Sequence, residues 1–347
     1  MPHGDGANAE CEDKAPEPIC VQYKFSRTIP TGQGIATQIR LLSVSHDLLA
    51  TVHGERDVLI WDLVRNTPPQ RIEIDILIDQ ITSIAVSPTS SNVLALSFRL
   101  GTAHEVWTFD WVNRTAEAKF TTGPDFHSVQ YSPDGRLLAW VSSGCIDVWE
   151  TIINTHVVTV RESRKKTDGL PTSHFAFSSN SNRIAYADRS GRLTTWDVTN
   201  WCFVAESRAK TDWQSVGREA MQMVLDKGRV MVVSREADGT CPWTWRLTTW
   251  WPDSGSRSEL ELNGCAYASI PRNARFVATV QMDGGKLRVR DTATGVCLDQ
   301  STQGLCRSAK LGKVPLVVAA AIATDDRVMV TQIANGRTSV WQLVAFE

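Results

Sequence analysis

No stretch of this sequence approaches the roughly eighteen consecutive apolar residues of a membrane span, so a transmembrane helix is excluded from its reading. Charge of one sign is also missing: 36 Lys and Arg stand against 38 Asp and Glu, a formal net charge of -2. Global attraction to nucleic acid or to an anionic membrane is therefore not expected, and a charge-driven partner would have to be met locally. The eight cysteines (Cys11, Cys20, Cys145, Cys202, Cys241, Cys265, Cys297, Cys306) include no C-x-x-C and no Cys–His pair at zinc-ligand spacing, and they read as reduced thiols. The first residues, MPHGDGANAECEDKAPEPIC, lack the apolar middle of a secretory signal and the Arg-rich character of a transit peptide. A cytoplasmic or nuclear setting follows, with no membrane association. The lone sequon at Asn113-Arg114-Thr115 does not change that reading.

Chemistry-bearing motifs are lacking too. There is no G-x-S-x-G elbow, no P-loop, and no G-x-G-x-x-G between a strand and a helix. Gly32-Gln33-Gly34 reads as a connector, and His104-Glu105 has Thr108 where a zinc-protease helix needs its second histidine. The seven histidines are dispersed. No catalytic residue, metal site or cofactor is expected, and the chain is read as not an enzyme.

What the sequence does have is a repeat. Seven segments carry an apolar run, a turn, a second apolar run, a Gly or Asp turn, and a third run ending in Trp or a substitute. The stretch FHSVQYSPDGRLLAWVSSGCIDVWE, residues 126–150, shows the pattern. The end markers are Trp61, Phe109, Trp149, Trp196, Trp245, Arg290 and Trp341, spaced by 48, 40, 47, 49, 45 and 51 residues. The runs are short, rich in Val, Ile, Leu, Ala and aromatics, and bounded by Ser, Pro, Asp, Asn or Gly, which is a strand signature. Second runs such as Leu137 to Val141 are apolar throughout, so both their faces must be covered and sheets must stack on sheets. In Ser132-Pro133-Asp134-Gly135, proline presets one turn angle and glycine tolerates a positive one, so the chain reverses there.

The Ser-Pro-Asp-Gly hairpin and the Trp-Asp ending of the third strand resemble the WD-repeat (WD40) propeller family over residues 40–347. Trp61-Asp62 and Trp196-Asp197 match in full; Trp149-Glu150, Phe109-Asp110 and Arg290-Asp291 match in part; Trp245-Arg246 and Trp341-Gln342 keep only the aromatic. The Gly-His pair that commonly opens such repeats is missing throughout, which bears on the Asp–His network typical of the family and not on the architecture. The expected fold is all-β: a seven-bladed β-propeller of four-stranded antiparallel blades, its ring closed by an N-terminal strand, Cys20 to Ser26, pairing with the C-terminal blade. Residues 1–19 are expected to form a disordered polar tail and residues 20–347 a single propeller.

In such a blade the strands a, b, c and d run outward from the axis. The d-to-a connectors and b-to-c turns share one rim; the a-to-b and c-to-d turns share the other. On the connector rim, positive charge is expected at Arg161, Arg164, Lys165 and Lys166, at Arg208 and Lys210, and at Arg307, Lys310 and Lys313. The first connector is instead acidic, with Glu73, Asp75 and Asp79. A rim polarised in this way would steer an acidic or phosphorylated protein or peptide. On the turn rim, Trp201 and the adjacent Trp250 and Trp251 are candidate partner anchors. Arg136, Arg183, Arg229, Arg275 and Arg327 each open a second strand, and that repetition indicates a structural role toward turn carbonyls or a neighbouring carboxylate.

The function expected from these features is a non-catalytic protein-interaction scaffold, a monomer or a subunit of a larger complex, presenting rim loops to a peptide or protein. The alternative is an enzyme or small-molecule binder with a site in the central channel, to which His127, His174 or Gln222 would contribute. Nucleic-acid binding through the basic rim is a minor third reading.

Overall fold

A computed structural model of the chain describes residues 20–29, 39–45, 48–65, 67–72, 74, 78–122, 128–142, 145–161, 171–188, 190–209, 213, 216–236, 244–271, 274–281, 287–296, 317–322, 328–333 and 338–346. The tail expected over residues 1–19 lies outside them.

Sheets arranged in a ring account for the described strands. The first is β2 (Ile39–Ser45), β3 (Leu48–His53), β4 (Asp57–Asp62) and β5 (Gln70–Ile72). The second is β6 (Gln80–Val86), β7 (Val93–Leu100), β8 (Ala103–Asp110) and β9 (Thr115–Thr122). The third is β10 (Ser128–Tyr131), β11 (Leu137–Ser142), β12 (Cys145–Glu150) and β13 (Thr155–Arg161). The fourth is β14 (Pro171–Phe177), β15 (Arg183–Asp188), β16 (Leu193–Asp197) and β17 (Cys202–Ser207). The fifth is β18 (Arg218–Asp226), β19 (Arg229–Glu236), β20 (Thr244–Trp250) and β21 (Arg257–Leu262). Next come β22 (Cys265–Ser269), β23 (Phe276–Gln281) and β24 (Leu287–Asp291), and then β25 (Val317–Ile322), β26 (Val328–Ile333) and β27 (Thr338–Phe346), the last paired with β1 (Cys20–Ile29).

The expectation of seven four-stranded blades is therefore corrected. Six four-stranded blades are present, and the sheet of β22, β23 and β24 has three strands among the described residues. It is the repeat whose end marker is Arg290 instead of an aromatic ring. The Arg290 guanidinium donates to Gly295 O of the turn that follows at 3.4 Å; residues 297–316 lie outside the described ones.

Pairing is antiparallel throughout the blades. β1 runs against β27 from Cys20 opposite Phe346 to Ile29 opposite Thr338, with one irregularity between Phe25 and Arg27. Around the axis β2 lies beside β6, β6 beside β10, β10 beside β14 and β14 beside β18; β20 lies beside β22, β22 beside β25, and β25 beside β2.

The apolar cores sit between blades, because second strands that are apolar on both faces must be covered on both. All six residues of β11 are buried. One cluster joins Ala50, Val52 and Ile60 of the first blade to Ile84, Leu94 and Phe98 of the second. Another joins Val106 and Phe120 to Leu138 and Trp140 of the third, where Phe120, Trp140 and Trp149 stack with centroids 4.5–5.8 Å apart. Between the fourth and fifth blades, the alanines at 176, 185 and 187 leave room for Trp213 and Trp250, both 0% exposed.

Trp213 sits in the connector ahead of β18, with Arg218 and Arg257 over its ring at 5.5 and 5.9 Å. Arg218 is held in turn by Glu236 at 2.9 Å and Glu259 at 3.3 Å. Burial in this wedge pushes the Arg257 guanidinium below its ordinary pKa, while Glu259 beside it acts in the opposite direction. Gly191 lies flat against the indole at φ +82°, and a Cβ there would fall 2.6 Å from Trp213.

Outer edges are blunted by different means. β5 is only three residues long and follows Pro68 and Pro69. β21 carries Arg257, Glu259 and Glu261. β9, β13 and β17 each bulge where they pass the end marker, at Phe109, Trp149 and Trp196, which leaves Glu117, Val157 and Val204 as the extra residues.

Two outcomes follow. A chain beginning at Ile35 should melt below the full chain, since it loses the β1 ladder and its hydrogen bonds at roughly 0.5–1.5 kcal/mol each; identical melting would contradict the role of β1. Gly191→Ala should destabilise by roughly 2–5 kcal/mol in denaturant unfolding, through backbone strain and displacement of Trp213.

Candidate functional site

In the first, second, fourth and sixth repeats, the turn after the third strand is held by the aspartate that ends that strand. Asp62 Oδ1 accepts from the backbone N–H of Val64 and Arg65 at 2.9 and 2.7 Å. Asp110 Oδ1 does the same for Val112 and Asn113, and Asp291 Oδ1 for Ala293 and Thr294. With its donors satisfied by the aspartate, the turn needs nothing from the side chain at its tip, and that side chain points to solvent.

In the third blade the aspartate is replaced by Glu150, and the turn is tied down differently. Thr151 N donates to Arg136 O, and Thr151 Oγ1 to Gly135 O, both at 2.8 Å. Gly135 is itself fixed at φ +71°, packed where a Cβ would strike Thr89 of the second blade at 2.4 Å. Beyond this base stand Ile152 and Ile153, 79% and 67% exposed. Val64, Val112 and Val296 are exposed in the corresponding turns of other blades, and Phe203 is exposed just after the fourth blade's turn. The turn rim thus carries apolar side chains at successive blades.

The expected aromatic anchors are placed otherwise. Trp250 is the last residue of β20, paired with Val230 and Arg257, and it is fully buried against the fourth blade. It offers no surface to a partner, and its position as an exposed anchor is corrected: it ends a strand facing a blade of small side chains. Trp251 is half-buried, its N–H donating to Ser256 O. Trp201, with φ 51°, is half-buried against the core between the third and fourth blades.

Of the basic connector residues, Arg208 is exposed and lies 3.8 Å from Glu206. Arg161 ends β13. Arg164, Lys165, Lys166, Lys210, Arg307, Lys310 and Lys313 lie outside the described residues, as do Glu73 and Asp75 of the acidic connector. Asp79 Oδ2 accepts from Gly101 N at 2.8 Å and lies 3.8 Å from Arg99.

The channel candidates separate as well. Gln222 spends its amide on the next blade: Oε1 accepts from Ser269 Oγ and Ile270 N at 2.9 Å, and Nε2 donates to Ile270 O at 2.8 Å. His174 is half-buried in β14, and His127 lies outside the described residues. Among the described residues no group of three or more His, Cys, Asp and Glu side chains could hold a metal ion. Of the arginines that open second strands, two reach neighbouring blades: Arg229 Nη2 donates to Ala274 O at 2.6 Å, and Arg183 lies 3.9 Å from Asp253. Arg327 is outside the described residues. In the first blade Trp61 Nε1 donates to Thr51 Oγ1 at 2.9 Å and Thr51 meets His53 Nε2 at 3.0 Å.

Sequence reading missed Ile152 and Ile153 and the wedge at Trp213. The signal for the first was available: two consecutive β-branched apolar residues at the tip of a tight turn.

No family model matches the chain. It is 29% identical over 161 residues to protein tipD of Dictyostelium discoideum, a match that covers 45% of this chain and 26% of that protein. The matched stretch is thus about a quarter of the relative's length. Among solved structures the chain resembles the β-propeller domain of Cps50 (Swd1) of Myceliophteria thermophila, with a TM-score of 0.64 and 13% identity over 91% of this chain and 99% of that one. The fold is that of a β-propeller.

Trp250→Ser should cost roughly 3–5 kcal/mol, as expected for emptying a buried tryptophan site. The double change Ile152→Ser and Ile153→Ser should leave unfolding within about 0.5 kcal/mol of the parent. Denaturant titrations compare the three proteins directly; a large loss in the double variant would make the turn tip part of a core.

Proposed function

We propose that this chain is a non-catalytic protein-interaction scaffold that presents propeller rim loops to a peptide or protein partner. The observation that carries this reading is the row of exposed apolar side chains on the turn rim, standing on turns fixed by hydrogen bonds between the backbone and the side chains of Asp62, Asp110 and Thr151. Exposed apolar groups on a rigid frame bind with little ordering cost, because the surface is already arranged before the partner arrives. The connector rim supplies a second element in the reading: its basic residues, from Arg161 to Lys166 and at Arg208, would favour an acidic or phosphorylated partner. A cytoplasmic or nuclear setting is proposed on the dispersed cysteines, of which Cys145, Cys202 and Cys265 are free thiols. Burial raises the Cys265 pKa and keeps it a thiol.

Affinity capture from the source cells, followed by mass spectrometry, tests the reading. A reproducible set of proteins should be retained by the parent chain, and fewer of them after Arg164, Lys165 and Lys166 are changed to Ser. Retention of no protein, together with large thermal stabilisation by a metabolite, would contradict it and favour a ligand site in the channel.

A further inference from the structure

The outer turn and strand of the third blade differ from those of the others. Residues 151–160, Thr-Ile-Ile-Asn-Thr-His-Val-Val-Thr-Val, contain no Asp, Glu, Lys or Arg. The equivalent stretch has Arg65 and Arg71 in the first blade, and Arg114, Glu117 and Lys119 in the second. It has Glu206 in the fourth, and Asp253, Arg257 and Glu259 in the fifth. The same ten residues hold the two most exposed large apolar side chains described, Ile152 and Ile153, and also Val157 at 37%. Val157 is exposed because the bulge opposite Trp149 makes it the extra residue on β13. The inner side of the strand is anchored, with Thr159 Oγ1 donating to Asp147 Oδ1 at 2.7 Å and His156 set edge-on to Trp149. Charged side chains on the outer strands add to the protection from pairing with foreign chains, and from Thr155 to Val160 β13 has its bulge but no charge.

Three occupants would suit an apolar surface, and the structure separates them. A bilayer surface is disfavoured because interfacial binding draws on basic residues beside the apolar ones; the neighbour of Ile152 and Ile153 in sequence is Glu150, and Arg161 stands at the far end of β13. A second copy is disfavoured on two grounds. Two bulged edges cannot run together through their kinks, and a few side chains fall far short of the roughly 1,000 Å² of a stable interface. A single extended segment can adapt to the bulge, place apolar side chains against Ile152, Ile153 and Val157, and meet the outward main-chain groups of β13.

We propose that the outer hairpin of the third blade, Thr151–Val160, docks an extended, uncharged, apolar-rich segment of a partner protein. This rests on the scaffold reading and specifies where one partner binds and by what chemistry.

The test is selection from a random-peptide phage library on the full chain, with affinities of the selected peptides then measured on the parent and on two variants, Ile152→Asp/Ile153→Asp and Val157→Lys. Uncharged peptides with alternating apolar residues should be selected, and should bind both variants about tenfold or more weakly. Equal binding to parent and variants, a charged consensus, or no selected peptide would overturn the proposal. So would a dimer in sedimentation, or binding to phosphatidylcholine–phosphatidylserine vesicles, that the same substitutions abolish. Should the double aspartate variant melt early, Val157→Lys carries the comparison. Cellular proteins captured equally well by parent and variants would overturn this docking site and leave the scaffold reading standing. Selected peptides without any captured protein would do the reverse.

Discussion

The structure depends on the seam between neighbouring sheets. Strands such as β7 and β11 are apolar on both faces, so a single sheet exposes a surface that only another sheet can cover. Each core cluster accordingly draws from two adjacent blades. The polar contacts follow the same rule. Ser43 Oγ accepts from Val86 N, Ser83 Oγ from Val129 N and Ser181 Oγ from Asp134 N, while Gln222 pairs with Ile270; the partners are 43 to 48 residues apart, one repeat. Buried main-chain groups at the strand ends are thereby satisfied by the next blade along, where a lone sheet would have to leave them to water.

Rigidity at the seams is what gives the rim its use. A turn tip on an isolated hairpin would be mobile, and ordering it on binding would cost free energy. Here the base of the third blade's turn is bonded to Gly135 and Arg136, and Gly135 is packed against Thr89 of the second blade. The exposed isoleucines therefore stand on a surface that the seam, and not the turn alone, holds in place.

The strands and their repetition were legible because a period near 47 residues and the Ser-Pro-Asp-Gly hairpin are local properties of the chain. The N-terminal strand was legible for a similar reason, since Cys20 to Ser26 alternates and has no partner nearby in sequence. The tryptophans were not, because their burial is decided by distant residues. Trp250 looks like an exposed turn residue until the alanines at 176, 185 and 187 are seen to make room for it. Trp213 has no pattern around it, and Gly191 and Arg218 meet it only in the folded ring. Ile152 and Ile153 illustrate the converse: apolar residues suggest a core, and only the turn geometry places them outside.

Native-state hydrogen exchange across the described strands tests the dependence on seams most directly. If the blades are stable only together, the slowest amides of all of them should exchange with one common free energy, and all should lose protection equally when Trp213→Ala opens the seam between the fourth and fifth. Protection lost in those two blades alone, with the first and second unchanged, would contradict the account.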